Sequence, residues 1–571
     1  MKRGGDGQRR VTRWGWSVQS VNLRLTAVAI ARLLPGGAKS NLAESTPASV
    51  RRLADGVSMA TCIFTRAFAC GLIAALLFGH QAAAQGATGS YGLSGVTVYD
   101  RDHLLSFAYQ HVERSGGQVS PDRLADAIEL IYREDGYMLA EIEIVYRDGF
   151  VVDFIVHEGF IEAVEIAGVD ERLFGAIRGY VEPLIGRKPL HQKDFERAIM
   201  LAGDLAGLSI TTEITYPGTT EGALLTVHGE TRRQSGSVTV DNPPRQLGEA
   251  VSAYGNQEFY SLLIPGDMLR LAGSVTWHFR NGQGFAASGT AFYRAPLGAS
   301  GLYGEVYAGN VIGRRDASGT FVATDLRGLE AGGALGYAIR RDVHNYAYVI
   351  GEFRHSQAAS SGGGVSFASG VNVISALIVI GHDDAHGSPT RFGMVLSGGA
   401  RSGMLPVGID DGDDRFWHLR ASLALSRPLH VLHHNLAVRF ALNGQISSSR
   451  LPSVEEFYLG GRNSLRGYRF GEAGGDSGFS GTIEVSYLHD VRSDALRALT
   501  SFLFADAGFV ANNAPGPGEL AQIWLASAGV GLQADFARGL SLRGWVGVPL
   551  VNGVMTGQLQ PAAYLGVTKA W

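Results

Sequence analysis

The sequence predicts a mainly β protein in which a transmembrane antiparallel β-barrel of about sixteen strands follows two small α+β domains. Apolar and polar residues alternate in segment after segment of residues 231–571, as expected for strands with two different faces. Glycine supplies 78 of the 571 residues, about twice its usual share. No apolar run is long enough for a membrane-spanning helix. The net charge of −4 gives no support for a nucleic-acid partner.

Residues 59–84 resemble a secretory signal peptide. Arg66 supplies the positive charge, residues 67–79 form the apolar stretch, and three alanines end the segment as a cleavage site. The apolar stretch is too short to span a bilayer, and a buried core helix is the alternative. Residues 1–58 are basic and aperiodic, which predicts a mis-assigned start or a non-structural extension. An Arg-rich transit peptide is the alternative for them.

Removal of this leader changes the charge and the thiol content of the chain. Residues 1–84 hold 11 of the 49 Lys and Arg and 3 of the 53 Asp and Glu, so the mature chain has a net charge of −12. Both cysteines, Cys62 and Cys70, leave with the leader. An exported chain without cysteine forms no disulfides and performs no thiol chemistry.

Residues 93–158 and 159–230 each predict a small α+β domain with the order strand, helix, helix, strand, strand. In the first domain, residues 96–100 predict a short strand, and apolar residues at helical spacing predict an amphipathic helix after it. Two alternating strands follow around Asp148-Gly149, a dipeptide typical of hairpin turns. The second domain repeats this order. Neither domain contains a set of residues that predicts catalysis.

Residues 231–571 predict the barrel itself. A soluble β-sandwich also shows alternating strands, but large charged residues on the polar face suit a water-filled lumen. Short and long connections also alternate, as in outer-membrane barrels. The short turns are predicted at 260–267, 295–299, 340–344 and 428–433, and the longer connections include 312–325, 401–414 and 449–478. The chain ends at Trp571, a terminal aromatic that resembles the signal read by the machinery that assembles such barrels.

The most specific local pattern is GGRNSLRGY at residues 460–468. Its second half closely resembles the (V/L)RG(F/Y) motif of the Omp85/TpsB superfamily. The matching residues are Leu465, Arg466, Gly467 and Tyr468. In that family the motif lies in the sixth extracellular loop, which folds back into the barrel lumen. The strand count places the motif between strands eleven and twelve, as in the family, so the resemblance implies an in-folded loop six at residues 449–478.

The family's partner motif, F-x-D-x-G on the thirteenth strand, is matched by Phe504, Asp506 and Gly508. A period of two places these three residues on one face of a strand. The resemblance implies that this face lines the lumen and that Asp506 receives a bidentate ion pair from Arg466, which would hold the loop. The alternative is that Arg466 and Asp506 are ordinary polar residues of a loop and of a lumen wall.

The two small domains resemble tandem POTRA (polypeptide-transport-associated) domains, with Gly-Tyr after a helix and Glu-Gly-x-Ile between the units. The dipeptide Asp241-Asn242 and the tripeptide at 265–267 also match the family at the start of its barrel. POTRA modules bind extended polypeptide at a sheet edge, and a folded spacer is the alternative. The presence of only two units indicates TpsB, the transporters of two-partner secretion, of the ShlB/FhaC/HecB type.

The resemblance implies a bacterial outer-membrane transporter with periplasmic POTRA domains, which exports a secreted TpsA-type exoprotein unfolded and without nucleotide. Its other partners would be outer-membrane lipid and, during biogenesis, the barrel-assembly machinery, and we expect a monomer that binds no nucleic acid. The alternatives are an Omp85-type insertase and a passive porin. Several TpsB proteins carry a helix that plugs the pore, but cleavage after Ala84 leaves about eight residues, too few for such a helix.

Three strings resemble enzyme or metal sites without predicting one. Residues 475–478 spell the GDSG of serine proteases, but they lie in a glycine-rich loop and lack a base. Residues 382–386, HDDAH, lie between Gly381 and Gly387, which predict a turn and not a metal-binding helix. The acidic residues at 410–414 lack the spacing of an EF-hand. We therefore expect no enzyme activity, no cofactor and no metal.

Overall fold

The computed structural model describes most of the chain after residue 90. The described residues are 91–571, except 117, 148–149, 217–221, 244–249, 280–283, 317–322, 363–364, 385–386, 403–411, 430–434 and 517–518. Several sequence predictions lie outside this part of the chain. They are the leader at 1–84, the Asp148-Gly149 turn, His386 and the acidic residues at 410–411.

The first small domain contains two helices and a three-stranded sheet. Its elements are β1 (Gly92–Ser94), α1 (Arg101–Arg114), α2 (Pro121–Glu134), β2 (Glu141–Arg147) and β3 (Phe150–His157). The sheet order is β1-β3-β2, with β1 parallel to β3. The prediction of a strand at 96–100 is wrong. The strand ends before Gly95, whose φ of +79° turns the chain, and Asp100 accepts a hydrogen bond from His103 N (3.1 Å) as the N-cap of α1.

The second small domain has the same order of elements. They are β4 (Phe160–Ala167), α3 (Glu171–Val181), a 3₁₀ turn (Glu182–Leu184), α4 (Gln192–Gly203), β5 (Leu208–Thr215) and β6 (Gly222–Thr231). Its sheet has the order β4-β6-β5, with β4 parallel to β6 and β5 antiparallel to it. The buried residues Leu173 and Ile177 of α3 belong to one core with Leu225 of β6. Ala198, Ile199 and Ala202 of α4 belong to the same core, so both helices are amphipathic, as their apolar spacing requires.

Sixteen strands form a closed antiparallel barrel. Fourteen of the sixteen strand pairings join neighbours in sequence, one spans a long loop, and the last strand pairs with the first to close the sheet. The strands are β7 (Gln234–Asp241), β8 (Ala250–Tyr260), β9 (Met268–His278), β10 (Gly284–Pro296), β11 (Leu302–Arg315), β12 (Thr324–Arg341), β13 (Asn345–Gly362), β14 (Val365–Asp383), β15 (Pro389–Ser402), β16 (Arg415–Leu429), β17 (Leu436–Ile446), β20 (Ser477–His489), β21 (Leu496–Ala511), β22 (Gln522–Phe536), β23 (Leu540–Pro549) and β24 (Ala562–Ala570). The predicted fold class is confirmed.

The two faces of the barrel differ in polarity. The outer face exposes large aliphatic side chains, such as Leu335 (59%), Ile374 (69%) and Leu503 (63%). The inner face carries ion pairs, among them Arg270 with Glu258 at 2.6 Å. An apolar surface that encircles a molecule is not compatible with water, so the outer face suits the hydrocarbon of a bilayer. None of the described helices is long and apolar enough to cross a membrane.

The connections at one end of the barrel are short, and the second small domain contacts that end. The Asp204 carboxylate accepts hydrogen bonds from Arg341 Nη2 and Nε at 2.8 Å each and from the Tyr348 hydroxyl at 3.0 Å. Arg197 donates to the carbonyl oxygens of Ala338 (2.8 Å) and Ser300 (3.1 Å). These contacts hold α4 and its C-terminus against the turns that follow β10 and β12.

A charged pair also links this domain to the start of the barrel. Asp170 is the N-cap of α3, and Arg233 Nη2 donates to its carboxylate at 2.9 Å just before β7. The backbone N–H of Arg172, together with the Arg233 guanidinium, holds the pKa of the Asp170 carboxyl below its ordinary range. Since the Arg233 side chain is exposed, this pair orients the chain more than it stabilises it.

A matched pair of substitutions on β12 tests the assignment of the two faces. Leu335→Arg places a guanidinium on the outer face and is expected to destabilise the folded barrel in lipid vesicles by about 2–4 kcal/mol. Ala334→Arg points inward between its register partners Glu305 and Glu352, so it is expected to cost less than half as much. Urea titration of both variants in the same vesicles measures the difference, and equal costs would contradict the assignment.

Candidate functional site

The loop that joins β17 to β20, residues 447–476, lies against the inner face of the barrel. It is the predicted loop six, with bounds 447–476 and not 449–478, because β20 begins at Ser477. It contains a short hairpin that the sequence did not predict, formed by β18 (Phe457–Leu459) and β19 (Ala473–Gly475). Both hairpin strands contact β21, the thirteenth strand of the barrel. The tip of the hairpin carries the GGRNSLRGY segment, so its side chains meet the lumen wall.

Arg466 at this tip binds Asp506 of β21 through three hydrogen bonds. The backbone N and the Nε of Arg466 donate to Asp506 Oδ2 at 2.9 Å each, and Nη2 donates to Oδ1 at 2.9 Å. The two side chains are buried, with 6% and 2% of each residue exposed. A planar guanidinium and a carboxylate in this bidentate arrangement give a strong and directional ion pair.

Neighbouring wall residues complete the environment of this pair. Arg466 Nη1 donates to Glu484 Oε2 on β20 at 2.6 Å, and the Arg466 guanidinium carbon lies 3.5 Å from the centre of the Phe504 ring. The Thr482 hydroxyl donates to Asp506 Oδ1 at 2.9 Å. The guanidinium therefore meets two carboxylates and an aromatic face, an arrangement that lysine cannot reproduce.

Packing holds the rest of the motif against the same wall. Leu465 is fully buried, and together with Leu459 it packs over Gly508, where a Cβ would lie 2.9 Å and 2.7 Å from the two leucine side chains. The Tyr468 hydroxyl lies 2.8 Å from the carbonyl oxygens of Ala526 and Val551. Gly467 has a φ of +101°, a conformation that favours glycine. The structure thus brings the predicted loop-six and strand-thirteen residues together, and their functional role stays a prediction.

Glu455 is a second anchor of loop six, and its role was not predicted from the sequence. Its carboxylate is fully buried, accepts a hydrogen bond from Arg354 Nη2 at 2.6 Å and lies 3.0 Å from His418 Nε2. Arg420 Nη2 donates to its backbone carbonyl at 2.7 Å. These partners belong to β13 and β16, on strands other than those that hold Arg466. An acidic residue beside the glycine-rich motif was the available signal, but its partners are 35, 37 and 101 positions away in sequence.

Two further acidic residues fix the base of loop six. Glu472 accepts hydrogen bonds from Met555 N (2.7 Å) and Thr556 N (2.8 Å), which belong to the connection between β23 and β24. Asp476 accepts from Leu451 N and Asn513 N at 2.6 Å each. Asp476 is the acidic residue of the GDSG string, so the string has a structural explanation: its carboxylate ties three backbone segments together.

The described residues contain no metal-binding group of three or more His, Cys, Asp or Glu side chains. His382 and Asp383 are at the end of β14 and not in a turn, and His382 Nδ1 lies 2.9 Å from Asn345 Oδ1. Trp571 lies beside β7, where its N donates to Gly236 O at 3.0 Å and its indole Nε1 donates to Gln257 Oε1 at 3.2 Å. The terminal aromatic therefore takes part in closing the barrel.

Comparison with known families and structures identifies related proteins. The model of the haemolysin secretion/activation protein family ShlB/FhaC/HecB matches residues 344–534, about one third of the chain. This segment runs from the start of β13 into β22 and includes loop six and Asp506. The resemblance that the sequence motifs predicted is thereby confirmed. Comparison with curated protein sequences finds no match.

Two solved structures share the fold of the whole described chain. CdiB from Acinetobacter baumannii has a TM-score of 0.63 and 14% sequence identity, covering 84% of this chain and 89% of that chain. CdiB from Escherichia coli has a TM-score of 0.67 and 17% identity, covering 87% of this chain and 93% of that chain. At these identities the similarity is one of architecture, two small domains followed by a sixteen-stranded barrel.

The packing of loop six on β21 predicts an intolerance to side chains at position 508. Gly508→Val would push against Leu459 and Leu465, which are fully buried, and overpacking of this kind costs about 1–3 kcal/mol. Gly351→Val is the control, since a Cβ at Gly351 meets nothing within 4 Å and a β-branched residue suits a strand. The urea midpoints for unfolding from lipid vesicles measure both effects. Equal midpoints for the two variants would contradict this packing.

Proposed function

We propose that this chain, whose barrel carries ShlB/FhaC/HecB-type sequence, is an outer-membrane transporter of the TpsB type that exports a partner polypeptide unfolded and without nucleotide. The observation that carries the proposal is the buried contact of Arg466 with Asp506, which fixes a polypeptide loop inside a closed barrel. A loop held in the lumen by specific side-chain contacts gives the pore two states. In one state the loop is bound to the wall, and in the other it is displaced from it.

The chemistry of the loop contacts supports a reversible gate. Loop six is attached by ion pairs and hydrogen bonds at Arg466, Glu455, Glu472 and Asp476, beside the apolar contacts of its tip. Such groups can exchange protein partners for water when the lumen is hydrated, whereas an apolar plug would lose its burial without compensation. Displacement by an incoming polypeptide therefore requires no nucleotide, and folding of the exported chain outside would favour movement in one direction.

The lumen wall suits the passage of an extended chain. Its inward side chains include hydroxyl groups and charges of both signs, for example Ser274 hydrogen-bonded to Ser288 at 2.7 Å and Glu305 beside Arg294 at 3.6 Å. A wall of this composition offers hydrogen bonds to any extended backbone. Such a wall would not select one polypeptide over another. The proposed substrate, a protein of the haemolysin or adhesin class, is instead recognised where it is first captured.

Partner capture is proposed to occur on the sheets of the two small domains, which we identify with POTRA domains in the periplasm. In the second domain β5 is at an edge of the β4-β6-β5 sheet, and in the first domain β2 is at an edge of its sheet. An edge strand has one row of unpaired backbone groups and can take an added strand from an extended polypeptide. The short-turn end of the barrel, which the second domain contacts, would then be the entrance.

Replacement of Arg466 tests the proposed gate. In Arg466→Ala the carboxylates of Asp506 and Glu484 lose their shared cation, so the loop loses its defined position in the lumen. Secretion of the partner is expected to fall by about tenfold or more, while the barrel still inserts into the outer membrane. Arg469→Ala is the matched control, because Arg469 lies in the same loop with its side chain exposed. Secretion by Arg466→Ala at the level of Arg469→Ala would exclude this gate.

Deletion of the gene separates the proposed function from its alternatives. For a TpsB transporter we expect one large exoprotein to disappear from the culture medium, with normal amounts of other outer-membrane proteins, as measured by quantitative proteomics of both fractions. A general loss of outer-membrane proteins would instead indicate an Omp85-type insertase. Unchanged proteomes with slower uptake of small solutes would indicate a passive porin. The neighbouring gene is expected to encode the large, repeat-rich partner.

A further inference from the structure

The pairing between the last and the first barrel strands is the shortest in the described barrel. We call this pairing, β24 with β7, the seam. Five residue pairs make up the ladder of the seam, from Gly566 opposite Asp241 to Ala570 opposite Ser237, and two backbone hydrogen bonds between Gly236 and Trp571 extend it at one end. Each of the other described strand pairs of the barrel has eight residue pairs or more. Because backbone hydrogen bonds hold neighbouring strands together, the seam is the weakest line in the barrel wall.

Side chains compensate for this short pairing. The side-chain amide of Asn242, directly after β7, donates to Ala563 O at 2.9 Å and accepts from Leu565 N at 2.7 Å, and its backbone N donates to Leu565 O at 3.3 Å. The hydroxyl groups of Thr239 and Thr568 lie 2.8 Å apart across the seam. These contacts brace the seam from within the two strands themselves.

One further brace comes from loop six and not from the wall. Arg462 Nη1 binds the carboxylate of Asp241 on β7 and lies 3.5 Å from the Tyr564 hydroxyl on β24. Its guanidinium carbon also lies 4.5 Å from the centre of the Tyr254 ring on β8. A single side chain of the loop thus contacts both seam strands and the strand beside them.

The charge balance at the seam depends on this contact. The Asp241 side chain is fully buried, and among the described residues Arg462 is the only cation within ion-pair distance of it. Tyr564 donates a hydrogen bond to the same Asp241 oxygen at 3.0 Å, which joins the two seam strands through the carboxylate that Arg462 neutralises. A buried carboxylate that loses its cation is strongly destabilised where it stands.

We propose that Arg462 couples loop six to the seam: the loop in the lumen holds the seam closed, and departure of the loop releases it. Arg462 and Arg466 lie within one turn-forming segment of five residues, and Arg466 fixes that segment to β21. Movement of the segment away from the wall removes both arginines together. The pore state of the barrel and the integrity of its wall are therefore linked through one short stretch of chain.

Hydrogen–deuterium exchange of the full-length protein in lipid nanodiscs tests this coupling without any exported partner. In Arg462→Ala, peptides from β7 and β24 are expected to exchange about tenfold faster or more than in the unaltered protein. Peptides from β13, on the far side of the wall, are expected to be unchanged. Arg469→Ala is the control for loss of an arginine from the same loop. Seam exchange within about twofold of the unaltered protein would overturn the proposal.

Two further variants separate the coupling from a general loss of structure. A disulfide between Thr239→Cys and Thr568→Cys is expected to restore slow seam exchange in Arg462→Ala, because it replaces the lost brace with a covalent one. Arg466→Ala, which frees the loop at another anchor, is expected to accelerate seam exchange as well. Acceleration confined to β21 in that variant would overturn the coupling. If Arg462→Ala does not insert, Arg462→Lys and Tyr564→Phe carry the same test with smaller perturbations.

Discussion

In a bilayer, every backbone N–H and C=O group of a strand must find a partner within the protein, because hydrocarbon offers none. This constraint accounts for the closed sheet of sixteen strands and for the alternation that the sequence shows. It also fixes the register of each strand, since a slip by one residue would move the ion pairs of the lumen into lipid. The small domains and loop six are attached to a wall whose geometry is already determined.

The interior of the barrel uses charge where a soluble protein would use apolar packing. Arg466 lies between Asp506 and Glu484, and Glu455 lies between Arg354 and His418, so each buried ion is compensated on more than one side. Burial of ions is costly unless their hydrogen bonds are satisfied. The networks therefore specify one position of loop six, as the proposed gate requires of its closed state.

The sequence predicted much of this architecture, because period-two alternation and turn residues act locally. They located most barrel strands, and the family motif located loop six between strands eleven and twelve. The hairpin of β18 and β19 was missed, since three-residue strands carry no periodicity. The partner of Arg462 was missed for another reason: Asp241 is 221 positions away, and only closure of the barrel brings the two together. The first strand was predicted at residues 96–100 because those residues alternate, whereas the true strand ends before Gly95.

The joining of the last strand to the first has a consequence for biogenesis. Thr239 and Thr568 are separated by 329 positions, and the backbone of Trp571 pairs with that of Gly236. Contacts between residues so distant in sequence are slow to form, since the entropy of ordering the intervening chain must be lost first. The barrel cannot close until β24 has been synthesised and has reached β7. Until then the edges of these two strands are exposed, and the unclosed sheet is prone to aggregation.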